Sequence, residues 1–279
     1  MPFDSNRAWR EATALVAANR EVLFAVAGVF FLLPGFASVM FLSDFQADMV
    51  ANLGNPAATE RIMAGMTGPV VGFGLFSFIV QSIGYLAMLA LLTDRARPTV
   101  RQALGIAVRA LPTVAGAALL FFAGYLGAVL VLVMLSAAVG AAAALGPIAG
   151  LLAVLLTAAM VYSMVKVSLV LPVIVIERVS NPVAALIRSW RLTRGNSFRL
   201  FFFYLLLATV YFVVVIVVGV ATMGLAAVIA GQGMLATLAG GLVSAIVGAV
   251  ASALLSAVLA AIHRQLAGPS PQALGSTFE

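Results

Sequence analysis

The sequence predicts an all-α, polytopic membrane helix bundle: six transmembrane helices with two cytoplasmic amphipathic interfacial helices. Three observations predict it. Of the 279 residues, 64% are hydrophobic and 9% charged, and the mean hydropathy is +1.18; a soluble domain carries about a quarter charged residues. Six apolar stretches are each long enough to cross a hydrocarbon core of roughly 30 Å. Basic residues fall in alternate linkers, as spans of alternating direction require.

Residues 1–20 form a polar lead with Asp4, Arg7, Arg10, Glu11 and Arg20. Ser5 or Asn6 fits a helix cap, and Trp9 suits an interfacial anchor. The apolar run that follows continues through Val39, Met40, Phe41 and Leu42, past any small-residue cleavage site. It therefore reads as a retained first span over 21–42 and not as a signal peptide. Pro34-Gly35 predicts a kink there, because proline frees a backbone carbonyl. Residues 43–68, with Asp44, Asp48, Glu60 and Arg61, form the longest non-spanning stretch. Two carboxylates four apart are too few oxygens for a Mg²⁺ or Ca²⁺ site and read as a solvated face.

Span 2 covers 69–92. The linker after it carries Asp94, Arg95, Arg97, Arg101 and Arg109, with Val100, Ala103, Leu104, Ala107, Val108 and Leu111 in one helical stripe. Pro112 is expected to interrupt this amphipathic helix before span 3 at 113–139. An uncharged turn leads to span 4 at 147–176, which holds Lys166. Span 5 covers 197–221 behind an aromatic belt, Phe201 to Tyr204. Span 6 covers 238–262, so the membrane domain is 21–264 and the tail 265–279.

The second amphipathic helix lies between spans 4 and 5. Asn181-Pro182 is a start signal, a good N-cap followed by proline at the first helical position. Val183, Leu186, Ile187 and Trp190 share one face; Arg188, Arg191 and Arg194 step along another. Gly195-Asn196 can end the helix in the left-handed conformation. Arginines beside a span attract anionic headgroups by roughly 1 kcal/mol per charge. The alternative is a connector with solvated arginines.

This stretch resembles a known family. LPVIVIE at Leu171–Glu177, then NPVAALIRSWRLTRGNSFRLF, is similar to bacterial six-span proteins labelled glycerophosphoryl diester phosphodiesterase membrane domain, with YciC-like inner-membrane proteins as relatives. The matching positions are Pro172, Glu177, Ala185, Leu186, Arg188, Ser189, Trp190, Leu192, Thr193, Gly195 and Asn196. The resemblance implies an architecture and the bacterial inner membrane, with no catalytic residues.

Charge sets the topology. The lead, the 93–112 linker, the 177–199 linker and His263-Arg264 are basic; 43–68 is net acidic; the turns at 140–147 and 231–237 are uncharged. Six spans with both termini cytoplasmic satisfy this alternation. The net charge of +6 is thereby explained without nucleic acid, for which no motif is present. Shifting the chain by 82 residues lays span 2 on span 4, Ala103-Leu104 on Ala185-Leu186, and span 3 on span 5. Such parallel repeats occur in transporters.

In span 6, Gly240, Ser244, Gly248, Ser252, Ser256 and Ala260 recur every four residues. Small ridges let spans approach closely, within the bundle or against another copy. Span 3 has an interrupted version, Gly116, Gly124 and Ala128, and could be the partner.

Lys166 is the one charge well inside a span, a functional candidate because isolated charge costs at least about 2.5 kcal/mol there. The competing readings are snorkelling to the headgroups or pairing with a carbonyl freed near Pro172. Tyr162, Ser163 and Ser168 could line a polar pocket around it. The candidates for ligand or lipid contact are thus Lys166, Arg188, Trp190, Arg191, Arg194, Arg101 and Arg109. With no cysteine and one histidine, His263, thiol chemistry is excluded and no metal site or triad is expected. No cofactor is expected, and the chain is read as non-enzymatic. Three functions compete: binding or moving a lipid or small molecule through the bundle, with anionic membrane lipid as partner; a scaffold docking another envelope protein or a second copy; and, least favoured, an integral-membrane enzyme.

Overall fold

The computed structural model describes residues 3–92, 98–140, 146–230 and 234–268. Asp94, Arg95 and Arg97, residues 141–145 and 231–233 of the two uncharged turns, and the tail past Gly268 lie outside them. Among the described residues all regular structure is helical. In order come α1 (Ser5–Ala18), α2 (Arg20–Ala27), a five-residue π-turn (Gly28–Leu32), α3 (Leu33–Ala51), α4 (Pro56–Leu91), α5 (Val100–Gly140), α6 (Gly146–Val167), α7 (Val170–Ile176), α8 (Pro182–Leu192), α9 (Ser197–Ala230) and α10 (Met234–Ala267). Six of these helical segments are long and apolar enough to cross a membrane, beginning at Arg20, Pro56, Val100, Gly150, Ser197 and Leu235.

Several boundaries differ from the expected ones. The stretch expected to lie outside the spans at 43–68 is mostly helix. α3 runs to Ala51 and α4 starts at Pro56, where the Asn55 side chain accepts from Ala58 N–H at 3.2 Å. At 36 residues, α4 is about 54 Å long, so its capped, charged end projects past the bilayer. Pro112 does not interrupt the chain: α5 is continuous over 41 residues with the proline inside. The carbonyl that Pro112 frees belongs to Val108, an exposed residue near the polar end, where water can take the bond. In span 1 the distortion comes before Pro34. The π-turn, closed by Leu33 N–H to the Gly28 carbonyl, makes the wider loop in which a ring lacking N–H fits.

Spans 2, 4 and 6 make the core, and spans 3 and 5 are almost wholly exposed along their apolar lengths. Gly84 of α4 lies against the π-turn so closely that a Cβ there would meet Phe30 Cβ and Phe31 Cε2, each at 2.6 Å. The next residue, Tyr85, packs edge-on against Phe31 and donates to Ser252 Oγ of α10 at 3.3 Å. The close-packed row of α10 is Gly241, Ala245, Ala249, Ala253 and Ala257, all buried. It is offset by one residue from the expected row, in which Ser244 is exposed, Gly240, Gly248 and Ser252 are half-buried, and Ser256 and Ala260 are buried. Span 6 packs on α1, α3, α4 and α9, whereas span 3 packs on α4, α6, α7 and α8. The two small-residue rows are therefore not partners.

The polar ends gather at one end of the bundle. Asp4, not Ser5 or Asn6, caps α1 by accepting from Arg7 N–H at 3.0 Å. α1 lies on α10 through Ala8 and Ala12, both fully buried. Arg264 of α10 reaches Glu11 at 3.4 Å and donates to the Leu92 carbonyl at the end of α4. Phe3 N–H donates to Asn196 Oδ1 at 2.8 Å. The N-terminal lead, the ends of spans 2 and 6 and the 177–199 linker thus share a side, the arrangement that their charge requires. The two stretches that the 82-residue shift superposes each bury small residues: Ala103 and Ala107 in α5, Ala185 and Ser189 in α8, all fully buried. They differ in that the first amphipathic helix is fused to its span and the second is not.

Candidate functional site

The site is built where span 4 breaks. Pro172 lacks the N–H that would bond the carbonyl of residue 168, and the helix stops at Val167 and resumes at Val170. A broken helix inside a membrane leaves backbone groups that protein must satisfy. Ser189 of α8 supplies two such bonds on either side of the gap. Its hydroxyl donates to the Lys166 carbonyl at 2.7 Å and accepts from Leu169 N–H at 3.2 Å. Tyr204 of α9 donates to Ser168 Oγ at 3.1 Å on the other side of the gap.

α8 is held against the break by its own local chemistry. Asn181 Oδ1 accepts from Val183 and Ala184 N–H, as the N-cap reading expects. Thr113 Oγ1 donates to the Ser180 carbonyl at 2.9 Å, tying the start of α8 to span 3. Gly195 has φ +82°, so the left-handed turn ends the segment. At the other end Arg178, with φ 57°, adopts the same region to turn the chain out of α7. The buried face of α8 is Ala185, Ser189 and Leu192. Val183, Ile187 and Trp190 are exposed, and the last two line the groove between spans 3 and 4.

Lys166 sits in the last turn of α6 and is 2% exposed. Its Nζ lies against aromatic rings and not against a freed carbonyl. It lies 5.2 Å from the Tyr162 ring centroid and 5.4 Å from that of Trp190, two rings packed edge-to-face at 5.9 Å. Cation–π contact returns about 0.5–2 kcal/mol, less than the cost of a charge deep in a membrane. No carboxylate lies within ion-pair distance of it among the described residues.

Lys166 lines a groove of about 880 Å³ between spans 3 and 4 under α8. Leu120, Phe121 and Gly124 form one wall and Leu156, Ala159 and Met160 the other; Trp190, Arg191 and Arg194 close the polar end. Tyr162 and Ser163 line it as expected, while Ser168 does not. A second cavity, about 590 Å³, is bounded by Arg188, Arg191, Arg194 and Arg199 with Asn196. Arg101 and Arg109 are exposed on α5 and line neither space. The expected cluster therefore splits: Lys166, Trp190, Arg191 and Arg194 come together, and the two arginines of the first linker stay apart.

Arg188 lines the second cavity and also belongs to an ion-pair cluster. Its Nε donates to Glu177 Oε2 at 2.8 Å, and His263 Nε2 lies 3.0 Å from Glu177 Oε1. Burial pushes the Glu177 carboxyl up, but the hydrogen bonds and charges of Arg188 and His263 outweigh it and hold the group below its ordinary value. An ionised carboxylate only accepts, so His263 Nε2 carries the proton and donates. The cluster ties span 4, α8 and span 6 together, and it gives His263 a partner that sequence spacing did not reveal. Arg199 as a lining residue and the bridging role of Ser189 were likewise not singled out, although Ser189, like Asn196, stands in the segment carrying the family resemblance.

Residues 146–266 match the profile of the family described as the membrane domain of glycerophosphoryl diester phosphodiesterase. The match covers spans 4 to 6 with α8, somewhat under half of the chain. Comparison with the curated proteins and with the solved structures finds no match.

Proposed function

Taking residues 146–266 as a membrane domain of that family, we propose that the protein binds an anionic membrane lipid in the groove between spans 3 and 4, as a lipid-handling and not a hydrolytic protein. The observation that carries this reading is Lys166: a buried cation with two aromatic rings and no carboxylate, at the polar end of an apolar groove. A phosphate placed there gains a partner desolvated from water, while its chains lie along Leu120, Phe121 and Leu156. Both parts of an amphipathic ligand are then matched. The groove is lined by cations, hydroxyls and aromatic rings, without a carboxylate or imidazole to serve as general base. The family description names a phosphodiester, which is an anion of the same class.

The same reading places the basic end of the bundle at the cytoplasmic face of a bacterial inner membrane, with both termini on that side. Extraction with surrounding lipid in polymer nanodiscs, followed by native mass spectrometry, tests it. Retained anionic lipid that is lost in Lys166→Met supports the groove. A stoichiometric protein partner with no enriched lipid makes the chain a docking scaffold instead.

A further inference from the structure

Arg191 and Arg194 line both the groove and the arginine cavity. The basic end of the groove therefore adjoins a second polar space of about 590 Å³. That space has only Leu192 and Leu266 as apolar side chains in its lining, too little surface to receive an acyl chain. It can take a charged group but no hydrocarbon.

The charge gathered here exceeds what one phosphodiester neutralises. Lys166, Arg191, Arg194 and Arg199 have no carboxylate within ion-pair distance among the described residues. Arg188 is held through Nε by Glu177, which leaves its terminal N–H groups for the cavity that it lines. A singly charged headgroup at Lys166 leaves the arginines repelling one another. Guanidinium groups also present paired donors that match phosphate oxygens, which suits them to a second phosphate better than to a neutral headgroup.

Resting on the reading that the groove holds an anionic lipid, we propose that its preferred ligand is a lipid with two phosphate groups in the headgroup. The chains and one phosphate lie in the groove with Lys166, the second phosphate lies in the arginine cavity, and Arg191 and Arg194 stand between them. A phosphatidyl lipid phosphorylated again on its headgroup supplies this; in two phosphatidyl groups joined by glycerol the second phosphate carries acyl chains of its own, for which the arginine cavity has too little apolar lining.

The full chain, delipidated in detergent, is titrated with phosphatidylglycerol, diphosphatidylglycerol and a phosphatidylinositol monophosphate, and retention is read by native mass spectrometry. The phosphatidylinositol monophosphate should be retained about fivefold or more over phosphatidylglycerol, in line with one further charge contact. A gain for diphosphatidylglycerol alone overturns the placing of the second phosphate in the arginine cavity. Arg199→Gln, checked for an unchanged melting temperature, should remove that advantage and leave phosphatidylglycerol retention as it was. Equal retention of all three lipids, or an advantage that survives Arg199→Gln, overturns the two-phosphate assignment. If phosphatidylglycerol is still lost in Lys166→Met, the groove reading stands without it; if Lys166→Met changes no lipid's retention, the groove reading itself fails.

Discussion

The hydroxyl of Ser189 donates to the main-chain carbonyl of Lys166 at 2.7 Å, so an interfacial helix completes a hydrogen bond that span 4 cannot make for itself. The same oxygen accepts Leu169 N–H. Ser189→Ala strands two backbone groups where no water reaches, at about 1–3 kcal/mol for such losses. The variant should melt several degrees below the parent in one detergent, and its anionic lipid retention should fall, because α8 carries Trp190, Arg191 and Arg194. A melting temperature equal to the parent's would show that the break is satisfied another way.

Lys166→Met should separate stability from binding. Methionine has similar volume and no charge, so the exchange removes a desolvated cation, costing at least about 2.5 kcal/mol in a span, against a cation–π return of about 0.5–2 kcal/mol. The lipid-free variant is therefore expected to be as stable as the parent or more so. Added phosphatidylglycerol should raise the parent's melting temperature by mass action and leave the variant's where it was. A less stable variant that still responds to the lipid would make Lys166 a structural residue.

The spans and the side on which the basic linkers meet were legible because long apolar runs and arginine placement report bilayer physics directly. Helix continuity was not. Pro112 and Pro172 look alike in sequence, yet one sits within an unbroken helix and the other follows a gap, because only the second has Ser189 opposite it. The charge of Lys166 marked it as a candidate, and its aromatic neighbour Tyr162 lies four residues earlier on the same helix. Glu177 and His263 are 86 residues apart, and their pairing depends on how spans 4 and 6 pack, which local pattern does not encode.

Glu177 makes the protein acid-sensitive in a defined direction. Its carboxyl is held below its ordinary value of 4.5, because the bonds from Arg188 and His263 outweigh the upward push of burial. The folded state then binds fewer protons than the unfolded state, so stability rises with pH across this interval. The contribution is present above about the ordinary carboxyl value and disappears as pH falls through the lowered one. Melting curves between pH 7 and pH 3 should show a steeper acid limb for the parent than for Glu177→Gln. Superimposable acid limbs would remove Glu177 from the explanation.

Glycine substitutions along two helices should separate packing from composition. Gly84 and Gly72 both lie in α4, and each reads as a small membrane residue. A Cβ at Gly84 meets Phe30 Cβ and Phe31 Cε2 at 2.6 Å, and Phe30 Cβ is fixed to the backbone of the π-turn; at Gly72 nothing lies within 4 Å. Gly84→Ala should therefore cost about 1–3 kcal/mol through overpacking. Gly72→Ala gains up to about 1 kcal/mol of helix propensity. On α10 the same contrast holds between neighbouring rows: a Cβ at Gly241 meets Val39 Cγ1 at 2.6 Å, while Gly248 has nothing within 4 Å. Valine in a helix has one strongly preferred rotamer, so the Val39 methyl cannot swing aside and its helix must shift. Thermal melts of the four alanine variants should place Gly84 and Gly241 below the parent, with Gly72 and Gly248 level with it or above. The opposite order would mean that spans 1, 2 and 6 do not approach one another along these rows.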